Sequence, residues 1–207
     1  MVLIGIGVGI KFGRYHVLAK RFAVVEMGRI YRGGEQEAGP YERIIAEHGI
    51  RTVLTLLEER KDDRPEKVES ELVETHGLRR IRIAMPGDGL ADFDDLDRAA
   101  AILADEENGP IFVHCSAGVH RTGASIAAYR MVYQNWDYER AMEELDAHWI
   151  SRGRKPEIFE HLKQYYEERV GGAELGGAVG FGVDGGAVGA VGAEGADVGV
   201  KHGESGG

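Results

Sequence analysis

IFVHCSAGVHRTGAS, Ile111 to Ser125, is the stretch that decides the fold. Its opening run, Ile111 to His114, is apolar and β-prone, as a strand buried in a sheet should be. Ser116, Ala117, Gly118 and Val119 follow as a loop of mostly small residues, and a helical pattern starts at about Arg121. Strand, tight loop and helix in that order form an edge where open α/β sheets place their ligands. Small residues let backbone N–H groups turn inward and a ligand approach closely. The helix aims its positive end at the same point, which makes the loop an anion cradle. Arg121 adds a guanidinium fork that can hold two phosphate oxygens at once.

Cys115, the only cysteine in the chain, stands at the floor of that cradle. A lone cysteine is more often a small buried hydrophobe than a nucleophile, so its neighbours must carry the case. An environment built for anions favours the thiolate, with a pKa in the range of about 3.5–7.5 known for such sites. The thiolate is the competent nucleophile. An ester phosphorus seated above it, with its oxygens on the 116–121 amides and Arg121, meets the two needs of phosphoryl transfer, which are positioning and charge stabilisation. Thr122 places a hydroxyl that can stabilise the sulfur when it departs. His114 can fix the loop through its ring nitrogens, and His120 stands beside Arg121, either near substrate or toward solvent.

His114-Cys115, five residues, then Arg121-Thr122 resembles the HC-x5-R-[ST] signature of the cysteine-based protein tyrosine phosphatase superfamily. HCSAGVHRTG as a whole is most similar to its dual-specificity and lipid-phosphatase-like branch. That resemblance implies Cys115 as nucleophile, Arg121 with the loop amides as phosphate binders, and neither metal nor cofactor. It also implies a general acid, an Asp on a loop upstream of the cysteine.

A departing alkoxide or phenoxide needs a proton, which is the chemistry that calls for such an acid. The corresponding loop is AMPGDGLADFDD, after LRRIRIA. Asp88 lies between Gly87 and Gly89, which permit a mobile loop that swings an acid over the pocket. Asp88 is the first choice and Asp92 the second, the competing view of Asp88 being a plain turn residue. Asp92, Asp94 and Asp95 are otherwise explained by their place at a helix start.

Outward from the signature, elements alternate. FAVVE and RIYRG read as strands about a turn at Met27-Gly28, with Arg32-Gly33-Gly34 as a further turn. PYERIIAEHG reads as a helix with Pro40 near its start and Gly49 past its end. TVLTLL is a buried strand, Arg64 to His76 a helix stopped by Gly77, and LRRIRIA a strand with one wet face. Helices follow over 91–104, 121–133, 137–150 and 155–169. The expected fold is α/β, a mixed but mainly parallel sheet flanked by helices, over residues 22–170. Arg79, Arg80 and Arg82, and the run Ser151 to Lys155, are basic clusters that either face solvent or rim the pocket. Trp136, Tyr138, Trp149 and Tyr165 are expected in the core.

The ends differ in composition. Residues 171–207 hold fifteen glycines with mostly alanine, valine and acids, and cannot repay their ordering entropy. Residues 1–21 open with nine apolar or glycine residues after Met1, far short of the roughly 20 needed to span a bilayer. This arm lacks the features of a secretory signal.

The formal net charge of −10 argues against nucleic acid as partner, although a local positive pocket can act within the screening distance of about 8–10 Å. A single cysteine excludes an internal disulfide and suits a reducing, cytoplasmic setting; contact of the arm with a membrane is the alternative. The eight histidines show no metal-ligand spacing. The expected partner is a phosphorylated protein or small phosphate ester. Hydrolysis of phosphotyrosine, with or without phosphoserine and phosphothreonine, is weighed against action on a phosphoinositide or inositol phosphate. Outside these stand a phosphate-binding module without turnover and a sulfurtransferase-like protein, disfavoured by intact Cys115 and Arg121 and by the flanking His114 and Thr122.

Overall fold

The computed structural model describes residues 18–148, 150 and 152–171. The arm to residue 17, the glycine-rich tail from 172, Trp149 and Ser151 lie outside the described residues. In chain order the elements are β1 (Ala23–Glu26), β2 (Ile30–Gly34), α1 (Ala38–His48), β3 (Thr52–Thr55), α2 (Arg64–His76), β4 (Arg79–Arg82), α3 (Phe93–Ala104), β5 (Ile111–Cys115), α4 (His120–Tyr133), α5 (Tyr138–Ala147) and α6 (Pro156–Tyr166). A short 3-10 turn, Glu106–Asn108, precedes β5, and a π turn, Glu167–Gly171, follows α6.

The sheet order is β1-β2-β5-β3-β4. Only β1 pairs antiparallel; β2, β5, β3 and β4 run parallel. This is the expected mixed, mainly parallel α/β sheet. The fully apolar character of IFV is explained by position: β5 lies between two strands and beneath helices on both faces, and all five of its residues are buried. Period-two alternation then divides its side chains. Ile111, Val113 and Cys115 join the larger core, built with α3, α4, α5 and α6. Phe112 joins Tyr31, Tyr41, Ile44, Ile45, Val53 and Leu72 in the smaller core under α1 and α2. His114 shares that second face, stacked 5.5 Å from Phe112.

The helix boundaries follow local chemistry. Gly49 and Gly77 close α1 and α2 in the left-handed region, at φ of 59° and 61°. Helix α4 is buried from Thr122 to Met131 on every side, because α3, α5 and α6 enclose it. Its N-terminus therefore enters the loop after β5 from inside the protein. Tyr165 is buried and donates its hydroxyl to Asp97 at 2.7 Å, and Trp136 lies between the guanidinium groups of Arg130 and Arg140.

One expectation is corrected, and one open alternative is decided. Arg32-Gly33-Gly34 is not a turn but the end of β2, paired residue for residue with Val113, His114 and Cys115. Arg79, Arg80 and Arg82 do not rim the pocket. Arg79 donates to Asn108, Arg80 to Glu66 and Ser70, and Arg82 to Glu66 and the Leu57 carbonyl. Opposite charges on the neighbouring α2 absorb Arg80 and Arg82. Of the second basic run, Arg152 pairs with Glu139 and Lys155 with Glu157.

Candidate active site

The loop from Cys115 to Arg121 wraps the N-terminus of α4. Gly118 takes a φ of 70°, and a Cβ there would stand 2.3 Å from the Gly33 carbonyl group. A Cβ on Gly34 would meet the Ser116 and Ala117 backbone at 3.0 Å. The glycines of β2 and of the loop thus let two backbones touch, and the loop is seated directly on the sheet. Its carbonyls face outward to donors. The Ser116 oxygen accepts from Lys20 Nζ at 2.8 Å, the Ala117 oxygen from Arg21 at 2.9 Å and the Gly118 oxygen from Arg32 at 3.2 Å. The Glu35 N–H donates to the Cys115 carbonyl at 3.0 Å.

Cys115 is only 2% exposed, yet it lines a cleft of about 290 Å³ with Arg21, Gly87, Ala117, Val119, His120 and Arg121. The sulfur is the floor, reached through the cleft alone. Burial pushes the thiol up, but the Thr122 hydroxyl and N–H, the Arg121 cation and the Val119 N–H outweigh it, and its pKa lies below that of an ordinary thiol. The Thr122 hydroxyl is buried and meets no nitrogen or oxygen partner; its effect falls on the sulfur. Arg121 donates to the Met85 carbonyl at 3.4 Å, while its Nε is buried without a partner. A guanidinium held open in this way, beside a thiol whose ionisation the loop N–H groups favour, can receive a tetrahedral oxyanion.

The structure brings together the sequence-derived residues Cys115, Ala117, Val119, His120 and Arg121 at the cleft. Ser116 lines an adjoining depression of about 360 Å³ that shares Gly87 and Arg121. Gly118 lies behind, against β2. His114 does not reach the cleft: its side chain points to the other face of the sheet. There Nε2 lies 2.6 Å from Glu69 Oε2 and 3.3 Å from Thr55 Oγ1, while Thr55 donates to Glu69 at 2.6 Å. Burial opposes charge on both members of the pair, yet Glu69 raises the His114 pKa, and His114 with Thr55 and Arg80 brings Glu69 down to about 2.

Asp88 lies exposed in the turn from Pro86 to Leu90, and its Oδ1 accepts the Leu90 N–H at 3.0 Å. Its neighbours fix that turn at the mouth of the cleft. Gly87 lines it, and Gly89 sits so close to His120 that a Cβ would approach the histidine Cβ to 2.9 Å. Asp92 precedes α3, where its carbonyl accepts the N–H groups of Asp95 and Leu96; neither Asp88 nor Asp92 itself lines the cleft, and of the two only Asp88 has a neighbour, Gly87, in its wall. Among the described residues no group of three His, Cys, Asp or Glu is placed to hold a metal ion, and no helix is long and apolar enough to cross a membrane.

Lys20, Arg21, Arg32, Thr55 and Glu69 are the functional candidates that sequence reasoning missed. A charged residue inside the buried strand IYRGG is the one local signal for Arg32. Glu66 and Glu69, three apart on α2, are buried because the fold brings partners from other elements: Arg80 and Arg82 of β4 to Glu66, and His114 and Thr55 to Glu69.

Comparison with known proteins agrees with this geometry. The profile of the family described as DSP-PTPase phosphatase fused to NAD+ kinase matches residues 21–159. The dual specificity protein phosphatase TpbA of Pseudomonas aeruginosa is 35% identical over 68 residues, which span 33% of this chain and 31% of that protein. The inositol diphosphatase DSP4 of Arabidopsis thaliana is 25% identical over 147 residues, 69% of this chain and 70% of that one. Among solved structures, the catalytic core of the PP-IP phosphatase Siw14 from S. cerevisiae superimposes with a TM-score of 0.61 at 21% identity, covering 76% of this chain and 93% of that one. PTPMT1 gives a TM-score of 0.60 at 21% identity, over 74% and 99%. At that level of identity the two structures share the fold.

Proposed function

Because the chain belongs to the family of DSP-PTPase phosphatases fused to NAD+ kinase, and so is a phosphatase of the dual-specificity fold, we propose that it hydrolyses phosphate monoesters through a cysteinyl-phosphate intermediate on Cys115. In the first step the Cys115 thiolate attacks phosphorus and the P–O ester bond breaks. Asp88 delivers a proton to the departing oxygen, so an alcohol or phenol leaves. In the second step water attacks the phosphorus and gives a proton back to Asp88; the S–P bond breaks and inorganic phosphate departs. Loop amides and Arg121 hold the equatorial oxygens throughout. Thr122 stabilises the sulfur as it regains its charge. Asp88 reaches the ester by giving up the Leu90 N–H, a motion its exposed turn allows.

The observation that carries this reading is the stabilised sulfur at the floor of an open cleft whose wall includes Arg121. Turnover of para-nitrophenyl phosphate in the presence of EDTA, by the wild type and by Cys115→Ser, tests it. Metal-independent hydrolysis by the first and none by the second supports the reading; equal rates overturn it.

For the substrate, the protein phosphotyrosine or dual-specificity reading draws on TpbA and on the signature loop. A second reading is favoured by Arg21. It brings a second guanidinium to the cleft, no carboxylate pairs with it among the described residues, and no Phe, Tyr or Trp is among the residues that line the wall. That suits a small molecule with another phosphate beside the scissile one, as inositol phosphates have. Domain limits of 22–170 and a cytoplasmic setting belong to the same proposal. Comparison of kcat/KM for a phosphotyrosyl peptide and an inositol polyphosphate decides between the two: preference for the peptide that survives Arg21→Met removes the second reading.

A further inference from the structure

Three cations hold three successive loop carbonyls: Lys20 on Ser116, Arg21, which also lines the cleft, on Ala117, and Arg32 on Gly118. In a trans peptide the C=O and the following N–H point in opposite directions. Each carbonyl drawn outward therefore turns the next N–H, that of Ala117, Gly118 or Val119, toward the cradle. A cation on the oxygen also polarises the peptide unit, so the N–H beyond it becomes a stronger donor. The third of these units ends on the nucleophile, since the Val119 N–H is a hydrogen bond that stabilises the Cys115 anion.

Arg32 is unusual for its setting. It is 1% exposed, makes one hydrogen bond, and its Nε is buried with no partner. A buried cation without a contacting carboxylate is costly, and a compensating anion must lie near. Burial pushes Arg32 down to about 10, opposed by the charges of Glu144 and of Cys115. Glu144, the larger of the two, is shared with Arg130 at 2.8 Å, so the Cys115 sulfur is a second anion that offsets the buried charge of Arg32.

We propose that Lys20, Arg21 and Arg32 form a cationic collar that positions the anion loop, and that Arg32 acts on the Cys115 thiolate through the Gly118–Val119 peptide unit. This deepens the phosphatase reading and rests on it. The collar explains why β2 must be short of side chains at Gly33 and Gly34 yet carry a buried arginine. It also gives a role to the segment preceding β1.

The test uses the full chain and two readouts that need no turnover: the pH midpoint of Cys115 alkylation by iodoacetamide, and tungstate affinity by calorimetry. In Arg32→Met the midpoint is expected to rise by about one unit, with Arg32→Lys restoring part of the shift; a folded Arg32→Met with the wild-type midpoint overturns the relay. Should Arg32→Met fail to fold, Arg32→Lys carries the same test, with a smaller rise expected and no rise overturning the relay. Lys20→Met keeps Arg32 and is expected to weaken tungstate binding about fivefold with a smaller midpoint shift, as the loss of one charge-assisted hydrogen bond to the loop predicts; unchanged affinity overturns the collar. Persistence of full turnover in Cys115→Ser would sink the phosphatase mechanism without altering either measurement on wild-type Cys115, so the two failures are distinguishable.

Discussion

His114 Nε2 and Glu69 Oε2 lie 2.6 Å apart, buried on the face of the sheet opposite the cleft. The pair ties the residue next to Cys115 to helix α2, and Thr55 ties the same carboxylate to β3. The end of β5 is therefore held from behind by a charged group rather than by packing alone. Its side chains are 1% and 6% exposed, so solvent screens the pair little.

Glu69→Gln should lower stability by about 3 kcal/mol, the scale for stripping one partner from a buried pair. The pH dependence has two edges. Glu69 is depressed to about 2, so its contribution is present above the ordinary value of 4.5 and is lost as pH falls toward 2. His114 is raised, so its contribution is present below 6.5 and is lost as pH rises through its folded value. Urea unfolding should show the largest gap between wild type and variant between these edges, shrinking on both sides; a pH-independent gap would contradict the charged pair.

Cys115→Ser should abolish turnover while leaving tungstate affinity within about tenfold, because the amides and Arg121 that hold the oxyanion remain. Calorimetry on the purified variant checks this. Loss of oxyanion binding together with turnover, in a folded protein, would mean that the cradle depends on the sulfur.

Asp88→Ala should slow esters with poor leaving groups by about 10²–10⁴, and nitrophenyl esters far less, since only the former need the proton. Rates across a series of phenyl phosphates give the slope. Equal slowing across the series would remove Asp88, and Asp92 would be tested next.

Gly118→Ala should unseat the loop. The φ of 70° disfavours any side chain, and the Gly33 backbone occupies the Cβ position at 2.3 Å. The expected result is loss of oxyanion binding with the global fold retained, seen as intact circular dichroism without tungstate heat. A variant that binds tungstate as the wild type does would show that the loop can shift off β2.

Much of this was legible in local sequence. The signature loop, its strand and its helix carry their own chemistry, and α2 runs from Arg64 to His76 with Gly77 as its stop, as its sequence reads. Arg32 reads locally as part of a turn because Gly33-Gly34 looks like one; the loop backbone that excludes side chains there arrives from far along the chain. His114 was placed at the right residue, but its partner on α2 could not be paired with it before β3 and β5 were known to be neighbours. Lys20 and Arg21 carry no local mark at all, since their role is defined by carbonyls 96 residues away.

Rapid acid quench during turnover, followed by mass spectrometry of the Cys115 peptide, tests the central claim most directly. A phosphoryl group on Cys115 that appears within the first turnover and decays to inorganic phosphate is the predicted result. Steady release of phosphate with Cys115 unmodified at every quench time would contradict it.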